Sequence, residues 1–137
     1  MSLFVDTSVW YAVADTSDGA NRRAKLLLET TEPLVTSDHV LVETWGLIHS
    51  RSDAGTAERF WDGIRGGGIS IEPTTAADLE SAWAIGQAFS DQGFSIVDRT
   101  SFAVMERLGI HQVASFDSAF AIYRFGARRD RAFNVLN

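Results

Sequence analysis

Four acidic side chains stand in this sequence where a folding chain gains nothing from them. Asp6 follows the apolar run Leu3, Phe4, Val5, and Asp117 follows the run from Val113 to Phe116. Glu43 and Asp98 fall among apolar neighbours at helical spacing. An acid that closes a buried strand, or interrupts the inward stripe of a helix, is desolvated and needs a partner to offset that cost. One shared partner, a metal cation, would serve all four. An all-oxygen ligand set selects a hard ion, Mg2+ with Mn2+ as a substitute, because zinc sites usually recruit histidine or cysteine. Ions so held would position and deprotonate water and neutralise a phosphodiester during in-line displacement, with no protein nucleophile required.

Four acids so far apart in sequence meet only if secondary structure carries them to one place. Short apolar runs alternate with longer helical patterns, which argues for βαβ units and a parallel sheet covered on both faces. Strands are expected near Leu3 to Val5, Leu34 to Thr36, Ile69 to Ile71, His111 to Ser115 and Ala132 to Leu136. Between the first two strands, Ser8 to Ala14 and Asn21 to Thr30 read as a helical pair broken at Asp15 to Gly19. Asp38 could cap a helix through Arg51, Asp53 another through Arg65, and Thr74 or Thr75 a longer one reaching Phe89. The triple glycine Gly66, Gly67, Gly68 ends a helix and opens a turn. It does not have the G-x-G-x-x-G order of a dinucleotide site.

On this layout Asp6 and Asp117 each follow a strand, at the carboxyl edge where open α/β sheets bind ligands. Glu43 lies about one turn into a helix that leaves the second strand at that edge. Asp98 opens a helix that stops at Gly109 before the fourth strand, so its amino end returns to the same edge. Two carboxylates about 4 Å apart repel by roughly 4 kcal/mol at an effective dielectric near 20, a large part of a small domain's stability. They need protons or cations to coexist.

At 137 residues, 45% hydrophobic and 22% charged, the chain fits one domain spanning 1–137. Its longest apolar run, Val9 to Ala14, is far below the roughly 20 residues of a membrane span, and a cytoplasmic protein is expected. The absence of cysteine excludes disulfides, thiolate metal sites and a cysteine nucleophile. A net charge of -6 argues against indiscriminate nucleic-acid binding, which depends on many lysines and arginines displacing counterions. The cations are eleven arginines against one lysine, Lys25; arginine suits bidentate phosphate recognition, although codon bias would also produce the skew.

The segments Phe-Val-Asp6-Thr-Ser, Thr36-Ser-Asp-His-Val-Leu-Val-Glu43-Thr-Trp, Ser95-Ile-Val-Asp98-Arg-Thr-Ser-Phe-Ala-Val-Met and Ala114-Ser-Phe-Asp117-Ser-Ala-Phe resemble, in that order, the PIN-domain ribonucleases. The resemblance is specifically to the VapC toxins of toxin-antitoxin pairs and covers nearly the whole chain. It implies a PIN-like three-layer α/β/α sandwich with strand order 3-2-1-4-5, and Mg2+-dependent endonucleolytic cleavage of structured RNA. It also implies a VapB-type antitoxin and a homodimer. The family's four acids map onto Asp6, Glu43, Asp98 and Asp117, with Ser8 at the polar position that supports the first. The segment from Thr36 to Trp45 is most similar to members acting on the sarcin-ricin loop of large-subunit ribosomal RNA, with transfer RNA as the other substrate class. A housekeeping RNA-processing nuclease and a non-catalytic binding module of the same fold are the alternative functions.

Each signal also has a plainer reading. Asp6-Thr7-Ser8 matches the turn of aspartic proteases, but that fold is nearly all β. A haloacid-type phosphatase needs a second aspartate where Ser8 stands, and a receiver domain needs a lysine late in the chain. Ser95-x-x-Asp98 fits a capping box, and Asp117 could cap the turn Ser118 to Phe120. His39 reads as a rim or packing residue, and His49 and His111 as structural. Trp10, Tyr11, Trp45 and Trp61 are expected in or beside the core. The pair from Val9 to Leu28 carries enough apolar residues to leave a surface open for an antitoxin helix. Arg124, Arg128, Arg129 and Arg131 form the densest basic cluster, a solvated loop or an RNA contact. Arg99, which adjoins Asp98, is the expected phosphate contact.

Overall fold

The structure, a computed structural model, describes residues 1–137. It consists of β1 (Leu3–Val5), α1 (Thr7–Ala14), α2 (Asn21–Leu28), β2 (Leu34–Ser37), α3 (Asp38–Arg51), α4 (Ala54–Gly66), β3 (Ser70–Glu72), α5 (Ala76–Ala88), α6 (Ile96–Leu108), β4 (Gln112–Ala114), α7 (Ala119–Ile122) and β5 (Asn134–Leu136). The five strands form one sheet in the order β3-β2-β1-β4-β5, and every pairing is parallel. Central β1 registers Phe4 against Val35 of β2 on one side and Val113 of β4 on the other. All three β1 residues are buried, as a strand covered on both faces by helices requires.

Parallel pairing puts the carboxyl ends of β1 and β4 side by side, and buried polar links fix the helices that leave that edge. The Thr36 hydroxyl donates to the Val5 carbonyl at 3.0 Å and accepts from the Trp10 indole at 3.3 Å, joining β2, β1 and α1. Helix α3 starts on Ser37, whose hydroxyl accepts the Val40 N–H at 3.1 Å. It buries Val40, Leu41, Thr44 and Ile48 along one stripe. His39 meets the Thr100 hydroxyl at 3.2 Å, holding the amino ends of α3 and α6 together.

Asp38 does not cap α3 as expected; Ser37 takes that role. The Asp38 carboxylate is committed to the β3–α5 loop, accepting from Thr74 N–H at 3.0 Å and from its hydroxyl at 2.6 Å, besides the His39 N–H at 2.9 Å. Asp53 does cap α4, and Thr75 opens α5 through a reciprocal capping box with Asp78. Helix α6 ends at Gly109, which has φ 67°, and Ile110 N–H returns to the Met105 carbonyl, turning the chain into β4. Strands β3, β4 and β5 are a residue or two displaced or shorter than expected, and α2 stops at Leu28. Apolar residues flanking a strand extend the pattern beyond its hydrogen-bonded part.

The surface of the α1–α2 pair differs from expectation. Val9, Trp10, Ala12 and Ala24 are buried, and Leu26 is the only large apolar residue of the pair that is well exposed. The open apolar surface lies on other helices, at Val42 of α3 and at Leu79 and Trp83 of α5. A groove of about 460 Å³ between α1 and α4 is lined partly by Val13, Phe60 and Ile69. The aromatic residues fall where expected: Trp10 is buried, and Tyr11, Trp45 and Trp61 are half-buried. His49 stacks on Trp45 and His111 on Phe125.

Candidate active site

Asp6, Glu43, Asp98 and Asp117 line one open cleft of about 660 Å³ at the carboxyl edge of β1 and β4. Each reaches it on a different element, as the topology requires. Asp6 is the residue between β1 and α1, and Asp117 lies on the turn between β4 and α7. Glu43 sits on the second turn of α3, and Asp98 on the first turn of α6.

Asp6 is the most buried of the four, at 4% exposure. Its Oδ2 accepts from the Ser115 hydroxyl at 2.8 Å and from the Ser8 hydroxyl at 3.0 Å. Both serines are themselves fastened to the turn after β4: Ser8 Oγ accepts Phe116 N–H at 2.9 Å, and Ser115 Oγ accepts Asp117 N–H at 3.0 Å. No hydroxyl reaches Oδ1. Burial pushes the Asp6 pKa up; the two serine hydrogen bonds oppose the shift, and the Asp117 charge adds to it.

Asp98 is also the capping residue it resembled. Its N–H donates to Ser95 Oγ and its Oδ2 accepts the Ser95 N–H, both at 3.0 Å. Capping uses one carboxylate oxygen, so the residue can serve the helix and the cleft together. Burial drives its pKa from the usual 3.8 to about 6; the Ser95 N–H resists, and the charges of Asp117 and Asp6 contribute. Glu43 is half-buried and raised by the same cause, with Asp98 and Asp117 adding repulsion. Asp117 caps the next turn, its Oδ1 accepting Ala119 N–H at 2.9 Å, and is otherwise exposed. These mutual influences place the four acids in one electrostatic field.

The Thr7 hydroxyl is buried and faces Glu43, easing the charge on that acid, but no acceptor stands in full hydrogen-bond geometry with it. The acids do not close into a cage, since no group of three or more acids and histidines is gathered tightly enough to enclose an ion.

Arg99 is not at the cleft. Its Nε donates to the carbonyls of Phe94 at 3.2 Å and Ser95 at 3.4 Å, and its guanidinium lies over Gly86 of α5. Adjacent positions on a helix point about 100° apart, so a neighbour of Asp98 in sequence is not its neighbour on the helix face. Arg124 donates to the α7 carbonyls of Ala121 and Ile122 and to that of Tyr123. Arg129 and Arg131 lie over Phe89 and Phe125, and none of the C-terminal arginines lines the cleft. Sequence reasoning did not single out three residues that line or brace the cleft. Ser115 could have been found as a polar residue closing an apolar strand; Tyr11 and Arg51 carried no local signal.

The family model for the PIN domain matches residues 3–126. The chain is 37% identical over 129 residues to the 23S rRNA-specific endonuclease VapC20 of Mycobacterium tuberculosis, an alignment covering 90% of this chain and 95% of that protein. The crystal structure of M. tuberculosis VapC20, described as a sarcin-ricin loop cleaving toxin, superposes with a TM-score of 0.82 at 34% identity, covering 87% of this chain and 92% of that one. VapBC2 from Rickettsia felis, bound to a DNA fragment from its promoter, matches at a TM-score of 0.70 and 12% identity over 100% of this chain and 98% of that one, a likeness of fold alone.

Proposed function

This chain belongs to the PIN domain family, and from that premise we propose that it is a Mg2+-dependent endoribonuclease toxin that cuts the sarcin-ricin loop of 23S ribosomal RNA. The observation that carries the reading is the meeting of Asp6, Glu43, Asp98 and Asp117, from four elements, in one cleft where burial opposes the ionisation of Asp6, Glu43 and Asp98. The substrate is inferred from VapC20, whose identity to this chain extends over nearly its whole length.

The donor set fits a hard divalent ion. All four ligands are oxygens, no histidine or cysteine lines the cleft, and a buried Thr7 hydroxyl there still lacks a partner. Asp6, Glu43, Asp98 and Asp117 are the residues that would hold it, with Ser8 and Ser115 fixing Asp6. Bound Mg2+ supplies an activated water and charge neutralisation at the phosphodiester. The chain's own part is positional. The two serines hold Asp6 Oδ2 against the turn after β4, the Ser95 cap holds Asp98, and α3 presents Glu43 from a rigid helix. A geometry fixed before the substrate arrives avoids reorganisation during reaction.

The test is cleavage of ribosomal RNA by the purified protein. Asp6→Asn or Asp98→Asn abolishes cutting while circular dichroism stays unchanged, and EDTA abolishes it in the parent. Cutting that survives either substitution ends the assignment, and mapped ends in transfer RNA would change the substrate. A VapB-type antitoxin and a homodimer complete the reading. Copurification with the product of the adjoining gene, and sedimentation of the toxin alone, check them.

A further inference from the structure

The cleft contains one cation. Of the eleven arginines and one lysine, only Arg51 lines it, at the carboxyl end of the helix that carries Glu43. Its guanidinium carbon lies 5.3 Å from the centre of the Tyr11 ring, a cation–π distance. Tyr11 is itself anchored, its hydroxyl donating to Asp15 at 3.0 Å while Asp15 is held by the N–H and hydroxyl of Ser17 at 3.0 and 2.6 Å. Asp15, Tyr11 and Arg51 thus form a supported arm at the mouth of the cleft.

Arg51 shares that cleft with five acids, Asp6, Asp18, Glu43, Asp98 and Asp117, yet it makes no ion pair; the single salt bridge of the molecule joins Arg107 to Asp78. Other arginines are occupied elsewhere, Arg99 on the α6 cap, Arg124 on α7 and Arg23 on the Asn137 carbonyl. Bound divalent ions would offset the charge of the four catalytic acids, and of the two charged side chains left on the cleft wall, Asp18 and Arg51, only Arg51 attracts a polyanion. Arginine's planar fork matches two phosphate oxygens at once.

We propose that Arg51, backed by the Tyr11 ring, is the phosphate-binding residue of the cleft, gripping a backbone phosphate of the RNA beside the one being cut. Eight residues of helix separate Arg51 from Glu43, about 12 Å along the axis, which assigns it to a neighbouring phosphate. The inference rests on the endoribonuclease reading and names the contact that reading lacks.

Binding of a fluorescent RNA stem-loop of sarcin-ricin sequence, measured by anisotropy with Ca2+ in place of Mg2+ to prevent cutting, tests it across a salt series. Arg51→Ala weakens binding about tenfold and makes the dependence of log affinity on log salt shallower by about one unit. Arg51→Lys recovers the salt slope but only part of the affinity, because charge is restored without the fork. Mn2+ affinity by calorimetry is unchanged in both, and Arg65→Ala, outside the cleft, binds RNA like the parent. An Arg51→Ala protein with parental RNA affinity and salt slope overturns the inference alone, as does one that loses Mn2+ binding in parallel, since that marks a structural role. A parent that neither binds nor cuts the stem-loop overturns the sarcin-ricin substrate reading together with this inference.

Discussion

Ser115 shows how a single hydroxyl can govern a carboxylate that is nearly sealed from water. It donates to Asp6 and receives Asp117 N–H, so Ser115→Ala removes a buried hydrogen bond and frees a backbone donor. The expected cost is about 1 to 2 kcal/mol of stability by urea unfolding, with a further rise in the Asp6 pKa visible by NMR titration. Asp98 behaves in the opposite sense. Asp98→Asn removes a charge that burial and two neighbouring acids oppose, yet keeps an oxygen for the Ser95 N–H. Asp98→Asn protein should therefore melt at or above the parent temperature when metal-free and still cleave nothing when Mg2+ is supplied, a combination that separates a site residue from a structural one. These placements were legible in the sequence because a carboxylate beside an apolar run conflicts with burial wherever the chain folds. Arg99 was misplaced because adjacency in sequence says nothing about which face of a helix a side chain takes.

The elements were legible for a related reason. The alternation of short apolar runs with helical periods survives any detail of packing, and the acids at strand ends followed from parallel connectivity. What the pattern could not supply was which of two adjacent polar residues wins a cap. Ser37 and Asp38 both suit the start of α3, and the choice was decided by Thr74, 36 residues later, whose N–H and hydroxyl take the aspartate. The closeness of Arg51 to Tyr11 depends likewise on how α3 packs against α1, a tertiary relation that neither segment encodes alone. Asp78 makes a comparable long-range link. It caps α5 and holds Arg107 of α6 through contacts of 2.9 to 3.2 Å, and it is almost fully buried. Asp78→Ala should cost about 1 to 2 kcal/mol, measured by denaturant midpoint, because it removes a cap and the ion pair to an arginine that water still reaches. Metal affinity should change little, since Asp78 is not in the cleft.

Across the whole molecule, the acids make stability depend on pH and on divalent ions together. The Asp98 pKa is raised on folding, so its protonated form is favoured in the native state. Its contribution is present in full below pH 4 and is lost as pH rises through about 6. Raising the pH from 4 to 7 should cost the metal-free protein about 1 to 2 kcal/mol from this group, after discounting for the solvent that still reaches it. Mn2+ should reverse the loss, adding about 2.7 kcal/mol at a free concentration one hundred times its dissociation constant. Melting curves at both pH values, with and without the ion, check the two effects; metal-free stability that climbs between pH 5 and 7 would contradict the first. The latch of Ser8 and Ser115 on Asp6 has a consequence in time. Its two halves lie 107 residues apart, so a polypeptide still being made holds its first acid without the turn that fixes it. The clamp on Asp6 therefore exists only once Ser115 has joined the fold, and fragments ending before Ser115 should bind the ion poorly and leave RNA whole.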